Sequence, residues 1–497
     1  MQMFLKPTCS WFVGGGMEQT VMLNVSTEER DNGEVRISPL PVGDIKEMLK
    51  QGGVVERVTS RYPDFYIDGL TGYADFEEMP VPGPLVRSRL HLYTLKGVRP
   101  VPLQLLSKIV FSGGIFYNID ERMNRGLEES VKFQFEQMRF LNACGLPIPL
   151  VIGYKSKRED KINCHHLVTE YWPGPTHDLS ILALNEAEAL LRQSSIPKGE
   201  IDIHRAVIEN EKKAIIMSGI DTIRAFHLHG TGETRRPVNE GFLSGLPVSD
   251  VEDYHLRNRG VYYLKWILHG LNPEREDEND AELYDRFTDT FRRLLKPFEH
   301  KGKRYFAQGD EFLHHFKFLR NNGERGSGLF DFDRNVLTHP AYSYAKLITT
   351  YLLKLNLGDE IKFLNYAFFP NNSNERYDRK IFTAHEVMRD YLLISIASRF
   401  YDIGKRFFDK QLNVEREEEN SLRGWNFPSE HRIRFPVKRH VPLSVKYPRV
   451  DKAIELQKKA LMERFNKIEG ESYGLSHDEM AAVSKFRDFL VDIGLYS

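Results

Sequence analysis

The chain is poor in everything that would make it a cross-linked, membrane-anchored or polyelectrolyte protein. Its 497 residues hold three cysteines, Cys9, Cys144 and Cys164, widely spaced and without a CxxC pair. An odd and scattered set excludes a disulfide framework and points to a reducing compartment. No stretch approaches the run of about 18 apolar residues that marks a membrane helix. The richest segment, YLLISIAS at 391–398, is bounded by Arg389 and Arg399 and reads as part of a buried helix. The short apolar start is interrupted by Lys6, so no signal peptide is expected. Lys plus Arg is 69 against 70 for Asp plus Glu, a net charge of −1, which excludes bulk electrostatic binding of nucleic acid. HExxH is absent too, and the adjacent pairs His165-His166 and His314-His315 would point to opposite sides of a strand, so no zinc site is expected.

What is present is a long chain with 12% aromatic residues, enough to bury a large core without staples. Residues 1–60 are weakly patterned, and 61–85, rich in Gly, Pro and Asp, reads as loop. Strand-like runs follow: RLHLYTLKG, VPLQLLSKIVF and GIFYNI, between 88 and 120. The segment 126–144 has Phe133, Phe135, Met138, Phe140 and Leu141 at helical spacing, and Gly145 ends the helix. LVIGY and HHLVTEYW read as a hairpin closed by KSKREDK. After Pro173-Gly174-Pro175 the pattern is mostly helical, interrupted by strands and loops at 303–335. A polar stretch at 412–424 suggests a boundary. Beyond it lie a basic, proline-containing arm at 432–449 and two terminal helices.

Two stretches carry the chemistry. QGDEFLHHFKFL at 308–319 contains Asp310, and GLFDFDRN at 328–335 contains Asp331, 21 residues later (331 − 310). Phosphoryl transfer needs an orienting base for the acceptor hydroxyl, a metal on the phosphates and a cation on their oxygens. Asp310, in a tight loop, is the candidate base, with an ordinary turn aspartate as the plain alternative. Asp331 is the candidate metal ligand. On a strand it would share a face with Asp333, with Phe330 and Phe332 behind, giving a hard-oxygen site for Mg²⁺ or, more plainly, a solvated face. Lys108, in an apolar strand, and Glu136, on the following helix, are the candidate phosphate-positioning pair or two independent surface charges. Glu170 and Trp172, before the Pro-Gly break, would offer backbone groups to an adenine ring.

These residues resemble the lipopolysaccharide kinases, in particular the core heptose kinases, within the aminoglycoside-phosphotransferase and protein-kinase-like superfamily. The superfamily loop is HGD with Asn five residues after the Asp; here it reads Gln308-Gly309-Asp310 with His315. The heptose-kinase branch is similar in its aromatic two after the Asp, here Phe312, and its His five after. FDFDR at 330–334, HPAYSYA at 339–345, FEQMRFLNACGLPIP and LVTEYWPG resemble further family segments. The resemblance covers roughly 100–180 and 300–350 and implies an α+β, two-lobed protein-kinase-like fold, with a small antiparallel-sheet lobe, a larger helical lobe and a helical C-terminal extension. The expected divisions are 1–85 as an N-terminal extension, 86–173 as the small lobe, 174–411 as the large lobe and 412–497 as linker and extension. It implies ATP and Mg²⁺ as cofactors and a sugar or glycolipid hydroxyl as acceptor. Two further readings stay open: a nucleotide-binding pseudokinase scaffold, and a kinase of a small metabolite or aminoglycoside-like molecule. Gln308 in place of His implies weaker support of the catalytic loop, and no GxGxxG precedes Lys108. Imidazole is a poor Mg²⁺ ligand, so His315 is expected to touch a phosphate or brace Asp310 while Asp331, with Asp333, carries the metal. A cytoplasmic protein follows, able to meet an anionic membrane or glycan surface through 432–449 unless that segment is only a solvated arm.

Overall fold

The computed structural model describes residues 40–62, 70–76, 88–95, 104–111, 127–159, 162–172, 175–194, 196–230, 260–272, 281–295, 305–309, 311–321, 324–332, 335–350, 352–353, 355–370, 377, 382–423, 450–471 and 473–496. Asp310, Asp333, the arm at 432–449 and the expected strand GIFYNI lie outside the described residues.

The small lobe is a five-stranded antiparallel sheet in the order β1-β2-β3-β5-β4, built from β1 (Leu70–Phe76), β2 (Ser88–Leu95), β3 (Gln104–Phe111), β4 (Val151–Glu159) and β5 (Ile162–Tyr171). β1 falls in the stretch expected to be loop. Its Gly and Asp are poor strand formers, but pairing with β2 along Gly72–Phe76 supplies the backbone partners. The boundary expected at residue 86 therefore falls between two strands of one sheet. Alternation sorts β5 onto two cores. Val168 joins Leu105, Tyr93 and Ile152 against the helices α1 (Val42–Lys50) and α2 (Val54–Arg61). Leu167 faces the other way, with Val131, Met138 and Leu141 of α3 (Leu127–Ala143). Helix α3 ends as its sequence indicates: Gly145 has φ +74°, its amide bonds Asn142 O at 3.0 Å, and Leu146 N bonds Leu141 O at 3.2 Å. That pairing is the Schellman motif, which glycine enters without a Cβ penalty.

The large lobe is helical, with α4 (His177–Gln193), α5 (Lys198–Gly230), α6 (Val261–Leu271), α7 (Ala281–Leu295), α8 (Pro340–Ile348), α9 (Leu357–Phe368), α10 (Ala384–Arg423), α11 (Val450–Glu471) and α12 (His477–Asp492). Two small antiparallel pairs interrupt it: β6 (Tyr305–Ala307) with β9 (Val336–Thr338), and β7 (Phe316–Asn321) with β8 (Glu324–Leu329). Helix α10 runs through most of the polar stretch, to Arg423. The C-terminal helices belong to the main core. Phe287 of α7 and Phe400 of α10 lie 5.4 Å apart, and Phe287 meets Phe489 of α12 at 5.6 Å. Each such ring, fully buried, contributes about 1.5–3 kcal/mol. Among the described residues no helix is long and apolar enough to cross a membrane.

Candidate active site

The loops of the two motifs are joined by the residue that looked like a weakness. Gln308 is buried, and its side-chain amide donates to the carbonyl of Phe330 at 3.2 Å and to that of Asp331. A glutamine amide carries two N–H donors, so one side chain satisfies two loop carbonyls. The expectation of weaker support is thus corrected: Gln308 ties the end of β6 to the Asp331 turn. The flanks of Asp310 are also held. Gly309 N donates to Glu311 Oε1 at 3.1 Å, and Gly309 O accepts from the buried ammonium of Lys346 on α8.

Asp331 is not on a strand. β8 stops at Leu329, and Asp331 adopts φ +65°, in the left-handed region that asparagine and aspartate tolerate better than other side chains. The turn is secured by Phe330 N donating to His315 O at 3.1 Å and by the Gln308 bond to the Asp331 carbonyl. Asp331 therefore lies beyond the strand that the sequence suggested. Its carboxylate meets the sheet. Lys108 Nζ donates to Asp331 Oδ1 at 2.7 Å, and His315 Nε2 lies 3.5 Å from Oδ2. Lys108 is about one-fifth exposed, Asp331 one-third and His315 one-tenth (21%, 33% and 11%), so the cluster borders solvent. Register explains the reach of Lys108: it pairs with Leu167, on the face that looks towards α3 and the large lobe.

The other sequence candidates stand elsewhere. Glu136 is exposed, and the described carboxylate paired with Lys108 is that of Asp331. The buried stripe of α3 is Ser130, Val131, Gln134, Gln137, Met138 and Leu141. Glu136 lies two residues from Gln134, about 200° around the helix, on the opposite side. The helix residue that reaches the site is Gln137, whose Oε1 accepts from the buried Asn335 Nδ2, just beyond FDFDR. Only the burial stripe of the folded helix reveals it, because the scattered phenylalanines suggest a different face. Glu170 pairs with Leu105 and so projects to the α1/α2 face, away from Lys108. There it takes Arg61 Nη1 at 2.5 Å, the Tyr62 hydroxyl and Leu150 N at 2.9 Å, while its own amide donates to Leu150 O at 2.8 Å. Burial first, and then the Glu170 charge, push the Tyr62 hydroxyl far above its usual pKa. Trp172 O accepts from Lys317 Nζ at 2.8 Å, and the indole packs where a Cβ on Gly328 would come within 2.3 Å of it. Both residues brace the connection between the lobes, with Glu170 N and Trp172 O engaged by Leu150 O and Lys317 Nζ.

Among the described residues no group of three His, Cys, Asp or Glu side chains gathers as a metal cage. The donor chemistry still fits Mg²⁺, which takes one or two carboxylates and fills its remaining positions with water and phosphate oxygens. Asp331 offers one such carboxylate beside solvent, and a cation, Lys108, already sits against it. The imidazole of His315 is not a hard ligand, and it faces the second oxygen as a polar neighbour.

No protein-family model matches the chain, and no curated protein matches it. Solved structures similar to it include an aminoglycoside 2′-phosphotransferase in complex with GDP, at 12% identity and a TM-score of 0.38, covering 84% of this chain and 97% of that one. A microcompartment-associated aminopropanol kinase is similar at 11% identity and a TM-score of 0.44, covering 86% and 99%. A choline kinase from Streptococcus pneumoniae is similar at 11% identity and a TM-score of 0.34, covering 81% and 97%. Resemblance at this level leaves the chemistry to be decided by the residues of this chain.

Proposed function

We propose that this chain is an ATP- and Mg²⁺-dependent phosphotransferase that moves the γ-phosphoryl group to a hydroxyl of a sugar or glycolipid. The observation that supports this best is the meeting of Lys108 and Asp331, 223 positions apart in the chain, at 2.7 Å, in the turn whose carbonyls Gln308 holds. In this reading Asp310 orients and deprotonates the acceptor hydroxyl. Asp331, with Asp333, would hold Mg²⁺, which when bound would supply positive charge against the phosphates. Lys108 transfers its donor bonds from Asp331 to phosphate, and His315 orients Asp331 or meets a phosphate oxygen. Gln308 keeps the two loops in register, which matters because phosphoryl transfer depends chiefly on positioning. The Gln308 bonds also weigh against a decayed scaffold, since the substituted residue retains a linking role.

The test is ATP turnover across sugars, lipid-linked glycans, aminoglycosides, small amino alcohols and proteins. Asp310→Asn should lower kcat by about 10²–10⁴-fold with folding intact. Lys108→Ala should lower kcat/KM by about 10²–10³-fold. A scaffold would keep a nucleotide-dependent thermal shift and show no turnover sensitive to Asp310.

A further inference from the structure

Both flanks of Asp310 are held by lysines from different helices. Lys346, in the last turn of α8, donates to Gly309 O, and its ammonium lies 5.3 Å from the centre of the Phe312 ring. Lys405 of α10 lies 5.0 Å from the same ring. The placement of these two helices therefore sets where Gly309 and Phe312 stand. The two helices are joined from behind by one side chain of the C-terminal extension. Gln457 of α11 is fully buried, and Nε2 donates to Thr349 O, at the end of α8, at 2.8 Å. The same nitrogen donates to Asp402 Oδ2 of α10 at 2.9 Å, and Oε1 accepts from Arg399 Nη1 of α10 at 2.5 Å. Thr349 O is one of the terminal carbonyls that a helix cannot satisfy by itself. Thr349 Oγ1 is also hydrogen-bonded to Ser398 Oγ of α10 at 2.9 Å. Helix α11 is locked in place a little further on, where Arg464 and Arg399 share the buried carboxylate of Glu360.

We propose that α11 is a positioning element for Gly309 and Phe312, acting through Gln457, which fixes α8 against α10 and so fixes Lys346 and Lys405 against these two residues. The role in turnover rests on the phosphotransferase reading, whereas the role in holding the loop does not. An amide is required because both donor bonds and the acceptor bond are used, and methionine fills the same space with none of them.

The experiment uses the full chain and two readouts. Hydrogen exchange of peptides covering 305–316 should quicken by about tenfold in Gln457→Met, with peptides covering β4 and β5 unchanged. Steady-state kcat should fall by about tenfold with both KM values within about twofold, as expected when a catalytic group is misplaced and binding is retained. Gln457→Asn carries the same measurements if the methionine variant fails to fold. Unchanged exchange at 305–316 overturns the proposal irrespective of turnover. An unchanged kcat in an active chain overturns it as well. Failure of the phosphotransferase reading shows separately, as wild-type turnover that Asp310→Asn leaves unaltered.

Discussion

Gln308 shows how far one side chain can be misread from its position in a motif. As a departure from a histidine it suggests decay; in the fold it donates to two carbonyls of the opposite loop. Gln308→Leu should therefore cost about 1–3 kcal/mol, the desolvation of carbonyls left unpaired, and lower kcat by more than the loss of folded protein explains. Gln308→His, which restores a single donor, should recover part of the turnover. Denaturant melts paired with kinetics on the soluble fraction decide both. Asp331 offers the complementary lesson. Its aspartate identity is plain in the sequence, but its left-handed backbone and its ion pair with Lys108 are not, because both depend on where β8 stops.

At the scale of elements, helix α3 contrasts two neighbours. Glu136→Ala should leave stability within about 0.5 kcal/mol, as for an exposed charge. Gln137→Leu should cost about 1–3 kcal/mol, since the buried Asn335 amide loses its acceptor. Urea unfolding of the two variants would reverse the order if the phenylalanine pattern defined the buried face. The existence and end of this helix were legible from periodicity and Gly145. Its orientation was not, because Phe133, Phe135 and Phe140 spread around it and only packing on the sheet selects the Gln134–Gln137–Met138 side. Strand β1 was missed for a related reason: its stability lies in pairing with β2 and not in its own composition. Further along, Glu360 links α9 to α10 and α11 through Arg399 at 2.5 Å and through Arg464, with the Tyr391 hydroxyl donating at 2.7 Å. Glu360→Leu strands two buried guanidinium groups and should cost about 3–5 kcal/mol, read as a lowered denaturation midpoint.

At the scale of the whole molecule, pH probes the same buried groups. Burial lowers His177 and His227 from the usual 6.5 to about 3. The unfolded chain then binds protons that the folded chain refuses, so stability is full above pH 6.5 and declines as pH falls towards 3. Each histidine contributes about 1.4 kcal/mol per pH unit within that window. Burial would raise the Glu360 carboxyl, but Arg464 and Arg399 outweigh it and hold the pKa below 4.5. Its stabilising effect is present above that value and is lost as pH falls through the lowered folded pKa. Melting temperature should therefore drop in two stages, beginning below 6.5 and steepening below 4.5, and His177→Gln should flatten the first. A flat profile between 6.5 and 4.5 in the wild type would contradict the burial of these imidazoles. Local chemistry in the sequence was enough to determine the α+β order of a small antiparallel sheet followed by a helical region, since this follows from periodicity and residue type. Tertiary structure alone decided which charges meet. Lys108 reaches Asp331 and not Glu136, Glu170 turns towards α2, and Gln457 of α11 joins α8 to α10, because strand register and helix rotation, set by long-range packing, determine where each side chain points.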